Sequence, residues 1–425
     1  MGINIIKYFL LLAVLLVNQS TDDHSGSMSA GNSTDSWPQF RGPDGQGHAP
    51  DAKLALSWSE EEHVSWKFTD PGKGWSSPVV DHGRIWMTTA CDSGHSLRAV
   101  CLDLKSGKLM NEVEVFHVDT LNAQNSMNSY ASPSPLIADG KLYVHFGTYG
   151  TACLASGTGT IIWKRSDLKL NHEVGPGSSP VIWHDKLIIP CDGKDMQYVI
   201  ALNTSTGKTA WKTERSFGGQ SRPNPCWAFC TPLIVTIDSK EQAVIPGAAY
   251  VCAYDPADGK ELWSVNYYGW SNVPRPLYAH GLVFVCTGFG NPSLMAIHPK
   301  RRGNIWSAEV AWKIEENVPT IPSPVLIGDR IYMISDNGTG SCIDAINGRK
   351  VWVKRLGGSF AASILSTGQG LYCFDSAGVT TVLGTGDEFK VLAKNRLNSG
   401  CMASAAVIGN ALILRTKKYI YRIEN

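Results

Sequence analysis

The chain has 425 residues, with 38 Lys+Arg against 37 Asp+Glu and a formal net charge of +1. This balance lacks the basic excess of a nucleic-acid binder, and 43% hydrophobic against 18% charged residues excludes a disordered chain. The 42 Gly and 22 Pro are too few for a low-complexity sequence and act as punctuation between short elements.

In chain order, Lys7 precedes an apolar run from Tyr8 to Val17, followed by Asn18, Gln19 and Ser20. That is the pattern of a secretory signal peptide over residues 1–20. As a helix the run reaches only about 15 Å, half of a bilayer core of about 30 Å, so no permanent membrane span is expected. Export to the periplasm or cell envelope, or beyond the cell, follows. The first cysteine is Cys91, so no lipid-acceptor cysteine adjoins the signal. Residues 21–36 are rich in Ser, Gly and Asp and read as a flexible linker. Residues 37–425 read as one repeat domain.

Three segments align with one another: Ser77 opens SPVVDHGRIWMTTA, Ser179 opens SPVIWHDKLIIPCD, and Ser323 opens SPVLIGDRIYMISD. Each continues through a polar loop, a third apolar strand, a Gly-Lys or Gly-Arg turn and a last strand. Further copies begin at Ser134, Thr231, Arg275, Ala361 and Ser404, at the spacing of propeller blades. Apolar residues alternate and are rich in Val, Ile, Tyr and Trp, which excludes a helical solenoid. The expected fold is all-β: an eight-bladed β-propeller with four-stranded antiparallel blades. The copy from Ser404 has room for only three strands. Residues 63–69 carry the outer-strand pattern around Trp66 and are expected to join the last blade and close the ring.

Trp163, Trp211, Trp263, Trp312 and Trp352 recur in the outer strands, and several follow the turn glycine by a fixed interval, as Gly207 to Trp211. A large indole there is expected to fill the wedge between blades; Met110 and Leu392 replace it in blades one and seven. Most cysteines sit in apolar runs and are expected to pack as small hydrophobes. Cys226 and Cys230 are the one close pair, and whether they form a disulfide is left open. No Cys/His spacing suits zinc.

On these repeats the chain resembles the pyrroloquinoline-quinone (PQQ) repeat superfamily, whose repeats end in an Asp/Thr-Gly-Lys turn and a docking Trp. The opening Trp37-Pro38-Gln39-Phe40-Arg41-Gly42-Pro43 looks like the leader that precedes blade one in PQQ-like propellers of planctomycete-type bacteria. The resemblance implies two kinds of relative. Quinoprotein alcohol dehydrogenases hold PQQ and calcium over the funnel beneath a disulfide of adjacent cysteines. The propeller lipoprotein of the outer-membrane β-barrel assembly machine is a scaffold. This chain has no Cys-Cys dipeptide, and no Glu, Asn and Asp set carries over residue by residue, so neither cofactor nor metal is expected. PQQ with calcium is the alternative.

Any site should collect on the face that carries the interblade links. These links and the neighbouring loops supply the candidate ligand contacts Asn128, Tyr130, Tyr149, His172, Asp195, Arg222, Trp227, Trp270, Asn272 and Arg275. Aromatic faces among Asn, Arg and carboxylates suit an envelope protein, a peptide or a polysaccharide. Arg222 and Arg275 are singled out because an Arg beside a proline in a loop requires an anionic or carbonyl partner when buried. Asp92, Asp192 and Asn337 read as turn formers. No nucleophile stands beside His172, so no catalytic residue is assigned. The resulting expectation is an exported, non-enzymatic binding module; the alternative is a PQQ-dependent alcohol or sugar dehydrogenase.

Overall fold

The structure, a computed structural model, describes residues 35–425, so the signal-peptide reading and nearly all of the linker reading lie outside the described residues. Eight sheets are present. Blade one is the meander Val79–Asp81, Arg84–Cys91, Ser96–Asp103 and Leu109–His117. Blades two to seven repeat it, their innermost strands starting at Leu136, Val181, Leu233, Leu277, Val325 and Leu365. Blade eight takes Ala406–Ile408, Ala411–Arg415 and Tyr419–Ile423, and its fourth strand is Val64–Thr69. That strand runs antiparallel to Tyr419–Ile423, with Trp66 opposite Arg422 and Phe68 opposite Ile420. The expected eight blades and the closure by an N-terminal strand are both present.

The blades cohere because neither face of a sheet is covered by its own residues. Val79, Trp86, Leu97 and Ala99 of blade one pack with Ile137, Leu142, Val144 and Leu154 of blade two in one buried cluster. Ring closure adds a polar clamp. Arg415 of blade eight donates through Nη2 to Asp70 Oδ2 at 2.6 Å and through Nη1 to Thr88 O at 2.9 Å, so it ties the last blade to the first. Asp192, expected to form a turn, instead holds Arg215 in a two-pronged buried pair, at 2.9 Å from Nε and 2.5 Å from Nη2.

The outer-strand indoles dock on the following blade. Trp163 Nε1 donates to Thr204 O at 2.9 Å, Trp211 to Pro256 O at 3.0 Å and Trp66 to Leu104 O at 3.1 Å. The turn glycine that each ring covers belongs to the next blade: a Cβ on Gly207 would lie 2.7 Å from the Trp163 ring. Blade one, with Met110 at this point, uses Trp86 of its second strand, whose Nε1 donates to Ser156 O. Trp263 departs from the rule and donates to Gln242 within its own blade. Blade five does not make the tight turn there; its outer strands Leu294–Arg302 and Ile305–Ile314 run on as a longer hairpin.

Residues 37–58, for which the sequence suggested only a leader, pass from blade to blade at the ring centre. Trp37 bridges Val80 of blade one, Pro38 O accepts from Ile137 N of blade two, and His48–Ala49 runs parallel to Leu365–Thr367 of blade seven. Arg41, 2% exposed, donates to Ser323 O and Pro324 O of blade six.

Candidate functional site

The opening of each repeat places one residue two positions before the innermost strand, where eight chains converge on the axis; it is Ser or Thr in seven blades and Arg275 in blade five. These residues form a relay around the ring. Ser77 N donates to Ser134 Oγ at 2.9 Å, Ser134 N to Ser179 Oγ at 2.9 Å and Ser179 N to Thr231 Oγ1 at 3.2 Å. On the other side, Arg275 N donates to Ser323 Oγ, Ser323 N to Ser363 Oγ and Ser363 N to Ser404 Oγ. In blade seven the equivalent position is therefore Ser363, two residues beyond the expected start at Ala361.

Above this relay lies a cavity of about 390 Å³. Its wall is aromatic: Trp75, Trp227, Phe229, Trp270 and Phe289 surround it, and Phe40 of the leader contributes to its floor. Local backbone geometry sets these rings in place. Gly290 has φ +100°, and a Cβ there would lie 2.2 Å from the Trp270 ring. The loops carrying Trp227 and Trp270 are laced together by Ser271 N to Trp227 O at 2.9 Å and Phe229 N to Asn272 O at 2.7 Å. Among the described residues no Asp, Glu, His, Lys, Arg or Cys lines the cavity.

Of the ten sequence candidates, three face the cavity: Asn128, Trp227 and Trp270. Asn272 is fully buried and acts from behind, its Nδ2 donating to Tyr267 Oη at 2.9 Å. Tyr130, Tyr149 and His172 are buried under the links of blades one to three. Tyr130 donates to Asn122 O, Tyr149 Oη accepts from Asn122 N, and His172 Nε2 accepts from Thr148 N. Burial lowers the pKa of His172 to about 4, and burial with the nearby His172 lowers that of His145 to about 3. Asp195 is exposed and caps Asn171 N at 2.7 Å. Arg222 is exposed on the rim, against Lys194 O and Cys226 Sγ.

Arg275 is the largest departure from expectation. Its guanidinium does not open on the cavity but lies beneath it, donating to Pro232 O at 3.0 Å and to Phe40 O and Gly45 O, each at 3.1 Å. Gly45 has φ +67°, and a Cβ there would come within 1.9 Å of Arg275 Nη1, so glycine is required for the approach. Burial lowers Arg275 to about 10 and Arg41 to about 9, opposed in both by the Asp44 charge, and both remain cations at neutral pH.

The sequence reading missed Trp75, Phe40 and Phe289. Trp75 stands directly before the first Ser-Ser-Pro, and its Nε1 donates to Met127 O; an indole outside the outer-strand register was the available signal. Cys226 and Cys230 are both free and buried, with separate partners. Among the described residues no group of three or more His, Cys, Asp or Glu is placed to hold a metal ion, and no helix is long and apolar enough to cross a membrane.

The chain matches a family described as outer membrane protein assembly factor BamB over residues 55–223, 195–309 and 247–391. Among solved structures it is similar to BamB from Moraxella catarrhalis, with TM-score 0.61 and 13% identity over 85% of this chain and 97% of that one. Quinohemoprotein alcohol dehydrogenase from Comamonas testosteroni gives TM-score 0.64 and 11% identity, over 91% and 80% of the respective chains. At such identities the likeness is one of fold. A tetrathionate hydrolase from Acidithiobacillus ferrooxidans is 21% identical over 63% of this chain, which spans about half the length of that relative. With eight PQQ-type blades and a family match running from residue 55 to residue 391, this chain belongs to the BamB family of PQQ-like β-propellers.

Proposed function

We propose that the protein is a binding module of the cell envelope that takes a peptide segment of a partner protein into its funnel mouth. The observation that carries this reading is the wall of the cavity, aromatic and free of titratable side chains. Such a wall desolvates an apolar side chain, worth about 1.5–3 kcal/mol when fully buried, but offers no general acid, base or nucleophile. Trp227 and Trp270 are half-buried, and among the described residues their indole N–H groups have no acceptor, which leaves them for a ligand's carbonyls. The apolar run from Tyr8 to Val17 and the family's description support export.

The cavity does not suit PQQ with calcium. The calcium that accompanies that cofactor requires hard, anionic oxygen donors, and no carboxylate of the described residues lines the cavity. No step of the proposed activity runs through a quinone.

Affinity selection from pooled random N-acetyl heptapeptides, presented both as free acids and as C-terminal amides, tests the reading. Enrichment by the wild type that disappears with Trp227→Ala/Trp270→Ala is expected. Absence of enrichment in both pools, or enrichment indifferent to the two tryptophans, would overturn it. Incubation with PQQ and calcium is expected to give no dye-linked alcohol oxidation.

A further inference from the structure

The hydroxyl relay has an unused half. In each link a backbone N–H fills a lone pair of the Ser or Thr oxygen, but Ser134, Ser179, Thr231, Ser363 and Ser404 donate their own O–H to no group among the described residues. Ser77 Oγ has no hydrogen-bond partner among the described residues, because the relay breaks between blades eight and one. All six hydroxyls line the cavity, and all six residues are more than nine-tenths buried. These hydroxyls face the cavity, where an acceptor of a bound ligand can meet them.

A second, independent feature lies just beneath. Arg275 holds the carbonyl of Phe40, a residue that itself lines the cavity, and Arg41 is the next residue in the chain. Both guanidiniums donate to backbone carbonyls, and among the described residues no carboxylate contacts either. The negative charge of Asp44 acts on both guanidiniums, and its Oδ2 lies 2.6 Å from His48 Nδ1, which leaves two cations against one carboxylate in this part of the floor. Arg41 Nε remains buried without a partner. The floor is thus donor-rich and cationic, whereas the wall is apolar.

We propose that the ring of hydroxyls over Arg41 and Arg275 is a carboxylate site, and that the ligand enters C-terminus first, its α-carboxylate on the floor and its apolar last side chain against the indoles. This rests on the peptide-binding reading above and names which part of the peptide is recognised. A carboxylate supplies acceptor lone pairs to several donors at once, and charge-assisted bonds are the stronger class. A buried cation pair within a low-dielectric wall favours that charge over a neutral amide.

The test compares each selected heptapeptide as free acid and as amide on the intact protein by calorimetry. The free acid should bind at least tenfold more tightly. Ser77→Ala should cost the acid about threefold or more and the amide less, with the melting temperature unchanged, since this hydroxyl has no partner among the described residues to lose; Ser77→Thr should restore the acid's affinity. Equal affinity of acid and amide would overturn the carboxylate site while the binding-module reading stands. Binding of neither form would overturn both. An acid-to-amide ratio unaltered in Ser77→Ala would also contradict the assignment of the floor.

Discussion

Two populations of tryptophan divide the molecule. At the outer edge Trp163, Trp211 and Trp352 are packed against the next blade, with every indole N–H bonded to a carbonyl of that blade. At the funnel mouth Trp227 and Trp270 are half-buried, their rings line a cavity, and their N–H groups have no partner among the described residues. The same side chain serves assembly where the protein completes its surroundings and recognition where it does not. The loops follow the same division. The links 118–135, 166–180 and 215–232 are long, whereas 315–324, 356–364 and 397–405 are short and internally bonded, as where Asp336 accepts from both Thr320 N and Thr320 Oγ1.

The sharpest way to break this division is to remove an assembly element. Deleting residues 63–69 takes away the fourth strand of blade eight together with Trp66, and should abolish cooperative thermal unfolding; deleting residues 21–34 should leave the transition in place. Next in size is the buried pair of Asp192 and Arg215. Burial alone would lower the Arg215 pKa, but the Asp192 charge, with Tyr250 and Tyr254, raises it well above its ordinary value. Asp192→Ala leaves that cation buried and uncompensated, and should cost about 3–5 kcal/mol in urea denaturation.

A smaller effect comes from pH. His145 and His172 are depressed to about 3 and about 4, whereas an unfolded imidazole titrates near 6.5. Between these values the unfolded chain binds the extra protons, so stability falls as pH drops below about 6.5 and is retained above it. The expected loss by pH 5.5, one unit below the unfolded value, is about 1.4 kcal/mol for each histidine, and His172→Gln should reduce the slope over that window. Smallest in stability, though largest in function, is Trp227→Ala/Trp270→Ala. It should lower peptide affinity at least tenfold, or about 1.4 kcal/mol, with a melting temperature within a few degrees of the wild type.

The propeller was legible because each blade writes its own strands, and most blades their turn and docking Trp, in local sequence. The closing strand was legible because Trp66 keeps that pattern at the wrong end of the chain. The floor was not. Arg41 reaches Ser323 O across 282 positions, and its partners are backbone carbonyls, which carry no residue signature. Arg275 illustrates the same limit: beside a proline in a loop it was expected to need a carbonyl or anionic partner, and it found carbonyls of the leader. The repeat starts were visible as Ser-Pro, but their convergence into a ring of hydroxyls depends on the axis, which no single repeat contains. Trp227 and Trp270 were found because indoles in links stand outside the packing register, and Trp75 obeyed the same rule unnoticed.

Fluorine NMR of the protein labelled with 5-fluorotryptophan, titrated with a selected heptapeptide acid, measures both populations at once. The account predicts saturable shifts confined to Trp75, Trp227 and Trp270, with Trp163, Trp211, Trp312 and Trp352 unmoved. Shifts at the outer-edge resonances with none at the funnel would contradict it.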